Sequence, residues 1–247
     1  MPASPPRRLS LTSADGVSLA ADEIAGGDPA LVFLHGLASS RLSERSASLL
    51  EWAQRKHRRL VRLDFRGHGE SAGTLATMTL SGLVADAEAA LAHAGRAVLV
   101  GSSLGGMVAA WTATRAADRI AGLVLIAPAF GFLHRMRARP RRGDRIVIAN
   151  SWIEVEIDED VLVDAEAWPE CDMARRIQVP TLIIHGTHDE VVPARESEQV
   201  FTDIACPRKE LWLIEGGDHR LQPHAQPIWE RVGRLLGDIE TSATREA

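Results

Sequence analysis

An α/β fold with a mostly parallel central sheet, helices on both faces and a short lid insertion is predicted by three observations. Short continuous apolar runs, suited to strands buried on both faces, alternate with segments of helical periodicity. That alternation specifies parallel strands joined by crossover helices. It breaks once, after Phe132, and resumes at Thr181. The chain has 247 residues, 45% hydrophobic and 25% charged, enough for a domain with a full core. A single domain over residues 1–247 is therefore expected, with a core at 9–132 and 179–238 and an insertion at 133–178.

Residues 9–24 read as two short strands around a turn at Asp15-Gly16. Leu31–Leu34 is a buried strand ending in His35-Gly36-Leu37, and Leu42, Leu49, Leu50 and Ala53 then repeat at helical spacing. Leu60–Phe65 is the next strand, followed by the glycine-rich loop Arg66-Gly67-His68-Gly69-Glu70-Ser71. Leu80, Leu83, Val84, Ala87 and Leu91 mark an amphipathic helix closed by Gly95. Val98–Val100 and Ile120–Ala127 are further strands with a helix between them. In the insertion, Arg145–Val155 alternates as a hairpin about Asn150-Ser151 and an acidic stretch follows. The acidic residues are the expected partners of the preceding arginines. Thr181–Ile184 is a strand, Ser197, Val200, Phe201 and Ile204 mark a helix, Leu211–Ile214 is the last strand, and Ile228, Val232, Leu235 and Leu236 mark the last helix.

A net charge of −5 argues against a nucleic-acid partner. Cys171 and Cys206 form neither a disulfide framework nor a metal-ligand spacing, which suits buried thiols in a reducing compartment. Met1–Arg8 is Pro-rich and basic without the apolar run of a signal peptide, and no segment is long enough to span a membrane. A cytoplasmic location is the expectation.

The chemistry centres on Val98–Val108, where an apolar run enters Gly101-Ser102-Ser103-Leu104-Gly105 and leaves as a helix-compatible segment. In a strand–turn–helix setting, Gly-x-Ser-x-Gly is a nucleophile elbow, with the serine exposed on a strained turn. A plain Ser-Gly loop remains an alternative. A dinucleotide-binding turn fits poorly, because Gly101-x-x-x-Gly105-Gly106 is neither a G-x-G-x-x-G fingerprint nor a P-loop.

A serine hydroxyl needs a histidine to take its proton, and the imidazole needs an acid to orient it. The strand at 181–184 runs into His185-Gly186-Thr187-His188-Asp189, and the strand at 211–214 into Glu215-Gly216-Gly217-Asp218-His219. Ser103, Asp189 and His219 thus follow the order serine, acid, histidine, each just past the carboxyl end of a strand. His224, His188 and Glu190 are the rivals. The strand ending at Ala127-Pro128-Ala129 has no acid after it. The backbone N–H groups of Leu37 and Leu104 are the expected oxyanion donors.

His35-Gly36, Asp64-x-Arg66-Gly67-His68-Gly69-x-Ser71, Gly101-x-Ser103-x-Gly105-Gly106, His185-Gly186-x-x-Asp189-x-x-Val192-Pro193 and Asp218-His219 together resemble the α/β-hydrolase family of serine hydrolases, from about residue 17 to 237. Leu99–Gly106 with Asp218-His219-Arg220 is more narrowly similar to the palmitoyl-protein thioesterase and acyl-glucuronide esterase branch, and compact bacterial carboxylesterases also look similar. The resemblance implies an α/β-hydrolase fold and hydrolysis of a small-molecule carboxylic ester or thioester through an acyl-enzyme, with no metal or organic cofactor. Alternatives on the same fold are a ligand receptor or signalling protein, a carbon–carbon bond hydrolase and an acyltransferase. The insertion is expected over Ser103, with Phe130, Phe132, Trp152 and Ile153 in the substrate pocket.

Overall fold

Residues 5–246 are described by the computed structural model. The first four residues of the Met1–Arg8 stretch and the side chain of Cys171 lie outside what is described, whereas Cys206 is a buried free thiol. The chain opens with β1 (Arg7–Thr12) and β2 (Ser18–Ile24), an antiparallel pair. The Asp15-Gly16 turn sits inside a wider connection, with the Gly16 N–H on the Ser13 carbonyl at 2.9 Å and the Val17 N–H on the Ser13 hydroxyl at 3.0 Å.

Then come β3 (Gly27–Leu34), α1 (Glu44–Arg55), β4 (Arg58–Leu63), α2 (Leu80–Ala94), β5 (Ala97–Ser102), α3 (Leu104–Arg115) and β6 (Ile120–Ile126). Leu42, expected in the first helix, lies before it and is 62% exposed. The helix starts after Ser43 because that side chain accepts the Ser46 N–H as an N-cap. Thr79 caps α2 in the same way, and Gly95 ends it at φ 76°.

The sheet order is β1-β2-β4-β3-β5-β6-β10-β11, where β10 is Thr181–Gly186 and β11 is Lys209–Ile214. All pairs from β4 to β11 are parallel. Strand alternation divides the core. Ala30, Val32 and Leu34 face a cluster with α2 and α3, whereas Leu31 and Phe33 face α1 and α8 (Ala225–Glu246). Each fully buried Leu or Phe stabilises by roughly 1.5–3 kcal/mol. β3 and β5 are neighbours whose connections leave in opposite directions along the sheet, which opens a crevice at their carboxyl ends.

Between β6 and β10 the insertion folds as α4 (Phe132–Arg137), a small antiparallel sheet of β7 (Arg141–Arg142), β8 (Arg145–Ala149) and β9 (Glu154–Asp158), then α5 (Asp160–Glu166) and α6 (Glu170–Arg176). The acidic stretch therefore becomes two short helices. Ile146, Ile148, Ile157, Leu162 and Met173 join the same apolar cluster as α2 and α3, so the insertion buries its apolar face on the main body. α7 (Ala194–Asp203) follows β10.

The hairpin departs from simple alternation at its tip. The Asn150 side chain accepts the N–H groups of Trp152 at 2.8 Å and Ile153 at 3.1 Å, forming a turn between β8 and β9. Trp152 and Ile153 are turn residues and do not lie on opposite faces of a strand.

Candidate active site

Ser103 joins β5 to α3 at φ 53°, ψ −118°, a conformation that costs a non-glycine residue on the order of 1–3 kcal/mol. Neighbouring backbones hold it there. Its N–H donates to the Ile126 carbonyl at 2.9 Å, and its own carbonyl accepts the Ala129 N–H at 3.0 Å. A Cβ on Gly105 would overlap the Leu34 carbonyl, so only glycine lets α3 start this close to the end of β3.

His219 Nε2 lies 3.0 Å from Ser103 Oγ, and its Nδ1 lies 2.7 Å from Asp189 Oδ2. The two loops that carry His219 and Asp189 are pinned to each other. The His188 N–H donates to the Gly217 carbonyl at 2.9 Å, and the Gly216 N–H to the Thr187 hydroxyl at 2.9 Å. A Cβ on Gly186 would overlap the Gly217 carbonyl. The rivals are elsewhere: His188 and Glu190 point to solvent, and His224 lies in the turn before α8.

Leu104 opens α3, where the first N–H groups of a helix have no intrahelical acceptor. Leu37 follows Gly36, at which an added Cβ would come within 3.3 Å of Ser103 Cβ, so the loop after β3 runs directly past the serine. Ser103 and His219 open into a cavity of about 500 Å³, within the usual range for small-molecule sites. Leu37, Leu104, Phe132, Ile148, Trp152 and Ile153 help to line it. Phe130, expected in the pocket, does not: it is 1% exposed in the core cluster. The backbone turns after Pro128, and the Phe130 carbonyl accepts from the Arg135 guanidinium.

A family model described as alpha/beta hydrolase fold matches residues 29–151, and one described as serine aminopeptidase, S33 matches residues 162–224. The chain is an α/β-hydrolase. Palmitoyl-protein thioesterase ABHD10, mitochondrial, of Mus musculus is 27% identical to this hydrolase over 221 residues, covering 84% of this chain and 74% of that protein. Among solved structures, alpha/beta hydrolase domain-containing protein 10 from mouse gives a TM-score of 0.83 at 22% identity, over 94% of this chain and 99% of that one. Est1E from Butyrivibrio proteoclasticus, with ferulic acid bound, gives 0.80 at 20% identity, over 92% of this chain and 99% of that one. The structural likenesses carry the fold.

In this hydrolase the Asp189 carboxylate is fully enclosed and accepts on both oxygens. Oδ1 takes the N–H groups of Val191 and Val192, each at 2.8 Å, and Oδ2 takes His219 and, at 3.0 Å, His185. Burial pushes its pKa up, but the bonds from His185, His219 and Val192 outweigh burial and hold it far below the usual carboxylate range. A depressed folded pKa contributes stability that is complete above the unfolded value of about 4 and is lost as pH falls through the folded one. Urea midpoints are therefore expected to fall as pH drops below about 4, and less steeply in a variant lacking this carboxyl.

The loop after β3 is braced by a motif whose role the sequence did not disclose. His68 Nε2 accepts the Ala38 N–H at 3.1 Å, and His35 Nε2 accepts the Phe65 N–H at 3.0 Å. Burial lowers the pKa of both rings, that of His35 to about 3, which keeps each in the neutral form its accepting nitrogen requires. Asp64, fully buried, accepts the Arg41 N–H at 2.6 Å and the Glu70 N–H at 3.0 Å and pairs with the Arg41 guanidinium. The signal was a histidine and an acid among glycines at a strand end.

The arginines of the insertion largely find acidic partners. Arg142 pairs with Glu154 and Glu156, Arg145 with Asp158, Arg137 with Glu166 and Arg141 with Glu159. Arg135 pairs instead with Glu196 on α7. Among the described residues no group of three or more His, Cys, Asp or Glu side chains could hold a metal ion, and no helix is long and apolar enough to cross a membrane.

Proposed function

We propose that this α/β-hydrolase cleaves carboxylic esters or thioesters of small molecules through an acyl-enzyme on Ser103. The observation that carries the reading is the chain of contacts from Ser103 Oγ through His219 to the enclosed Asp189, opening into a cavity. Ser103 Oγ attacks the acyl carbon as its proton passes to His219 Nε2. The N–H groups of Leu104 and Leu37 receive the oxyanion, each worth roughly 3–4 kcal/mol in the transition state. Collapse expels the alcohol or thiol, which takes the proton from His219. Water then attacks the acyl-Ser103 carbonyl with His219 as base, freeing the acid and the serine. The name of the sequence relative, a palmitoyl-protein thioesterase, favours this bond class.

The test is a panel of p-nitrophenyl esters and acyl-thioesters of graded chain length, together with a fluorophosphonate probe. Turnover of at least one series and labelling at Ser103 are expected. Tight binding of a ligand without turnover would instead identify a receptor.

The insertion makes a separate prediction. Trp152 is 48% exposed at the cavity, beneath the Arg220 guanidinium at 6.0 Å. Its truncation therefore alters the cavity wall more than the core. Trp152→Ala is expected to shift chain-length or aryl preference by roughly tenfold, about 1–3 kcal/mol of altered contact. An unchanged profile with a lowered Tm would make the tip scaffold only.

A further inference from the structure

We infer that His185 is a positioning residue, which acts through Asp189 to fix the orientation and basicity of His219. The inference rests on the Ser103–His219–Asp189 reading. His185 sits at the carboxyl end of β10, 0% exposed, four residues before Asp189. Its Nε2 faces two acceptors, Asp189 Oδ2 and the Val192 carbonyl, each at 3.0 Å. The proton must therefore be on Nε2. Nδ1 meets the Ser197 hydroxyl of α7 at 2.7 Å, and Ser197 is itself 0% exposed. The ring is thus tied at both nitrogens, through one to the loop after β10 and through the other to α7.

The carboxylate oxygen that receives this bond is the one that receives His219 Nδ1. Two imidazoles share Oδ2, while Oδ1 is occupied by the N–H groups of Val191 and Val192. A donor on Oδ2 does two things. It removes a rotational freedom from the carboxylate, so that Oδ2 stays aimed at His219. It also withdraws charge from the oxygen, so that protonated His219 is stabilised less and gives up its proton more readily to the leaving group. The titratable groups in contact with Asp189 are these two histidines. On α7 the Ser197 hydroxyl meets His185, and the Glu196 carboxylate pairs with Arg135. Asp218 and Arg220 flank His219 in the chain. The Asp218 carboxylate accepts the Leu221 N–H, and the Arg220 guanidinium pairs with Glu44.

His185→Leu and His185→Gln separate this role from packing. Leucine fills the site without a donor, and the glutamine amide can place an N–H near the position of Nε2. With the most active ester of the panel, His185→Leu is expected to lower kcat about tenfold, the scale of one hydrogen bond to a charged group, with KM unchanged. The acid limb of its kcat/KM profile is expected to move up by about half a pH unit or more. His185→Gln should restore both. The hydrogen-bonded Nδ1 proton of His219, followed by NMR, should shift in His185→Leu and return in His185→Gln even if no ester is turned over, so a failed substrate assignment is visible separately. A wild-type acid limb and a wild-type Nδ1 resonance in His185→Leu, with only a lowered Tm, would overturn the inference. So would a His185→Gln variant that behaves as His185→Leu. If His185→Leu does not fold, Ser197→Ala reads the same quantities. Loss of the hydroxyl frees the ring and should move the limb in the same direction by less, and an unmoved limb with an unmoved resonance overturns the inference.

Discussion

Ser103→Ala is expected to reduce kcat/KM by roughly 10⁴-fold or more while the protein stays folded. Only Oγ is lost, and with it the 3.0 Å contact to His219 Nε2. The backbone bonds that hold residue 103 at positive φ, to Ile126, Ala129 and Gly106, do not involve the side chain. Alanine keeps the same backbone strain as serine, so stability should change by no more than about 1 kcal/mol. The cavity and the N–H groups beside it remain, which leaves a residual rate above that of water. Steady-state rates, the absence of a burst and the loss of fluorophosphonate labelling check the result together. Normal hydrolysis by this variant would refute the assignment of the nucleophile.

The second large effect is expected from Asp189→Asn, on catalysis and on stability together. All four hydrogen-bond partners of this side chain are donors, two backbone N–H groups on Oδ1 and two imidazole N–H groups on Oδ2. An amide accepts on one edge only. With its oxygen toward Val191 and Val192, its NH₂ meets the two histidines, and His219 must take the wrong tautomer to bond it. With the amide reversed, two backbone N–H groups are orphaned in a dry site. The first arrangement predicts a fall in kcat of about 10⁴-fold at nearly constant KM. Either arrangement costs about 1–3 kcal/mol for a buried donor left unpaired. Rates and urea midpoints on the same preparation separate the two effects. Full activity would mean that another carboxylate orients the imidazole.

The parts of this architecture that were legible in the sequence are those with local signatures. Runs such as Leu31–Leu34 have nowhere to go but the middle of a parallel sheet, and Gly101-x-Ser103-x-Gly105 has a steric reason for each glycine. The array of Ser103, Asp189 and His219 was readable because each follows a strand, and parallel strands deliver their ends to one edge. Features that depend on contacts between distant segments were not. Nothing local says that Asn150 folds its side chain over the amides of Trp152 and Ile153 and so ends the alternation that Ile146 and Ile148 suggest. Phe130 was misplaced because a phenylalanine one turn from the site is as easily core as wall. His185 went unseen as a partner of Asp189 because four residues along an extended strand and turn do not by themselves bring two side chains together.

The insertion leaves the sheet after β6 and returns at β10, and these two strands are hydrogen-bonded neighbours, Leu123 opposite Thr181 through Ile126 opposite Ile184. An excursion whose two ends are anchored on neighbouring strands of one sheet can change length at little cost, because closure entropy rises only as the logarithm of loop length, about 0.6 kcal/mol per doubling. Its sequence is equally free, save for the few apolar contacts that seat it. A lineage could therefore exchange what closes over Ser103 while the strands that aim the serine, histidine and aspartate keep their register. The wall of the cavity and the array beneath it are in this way separately heritable.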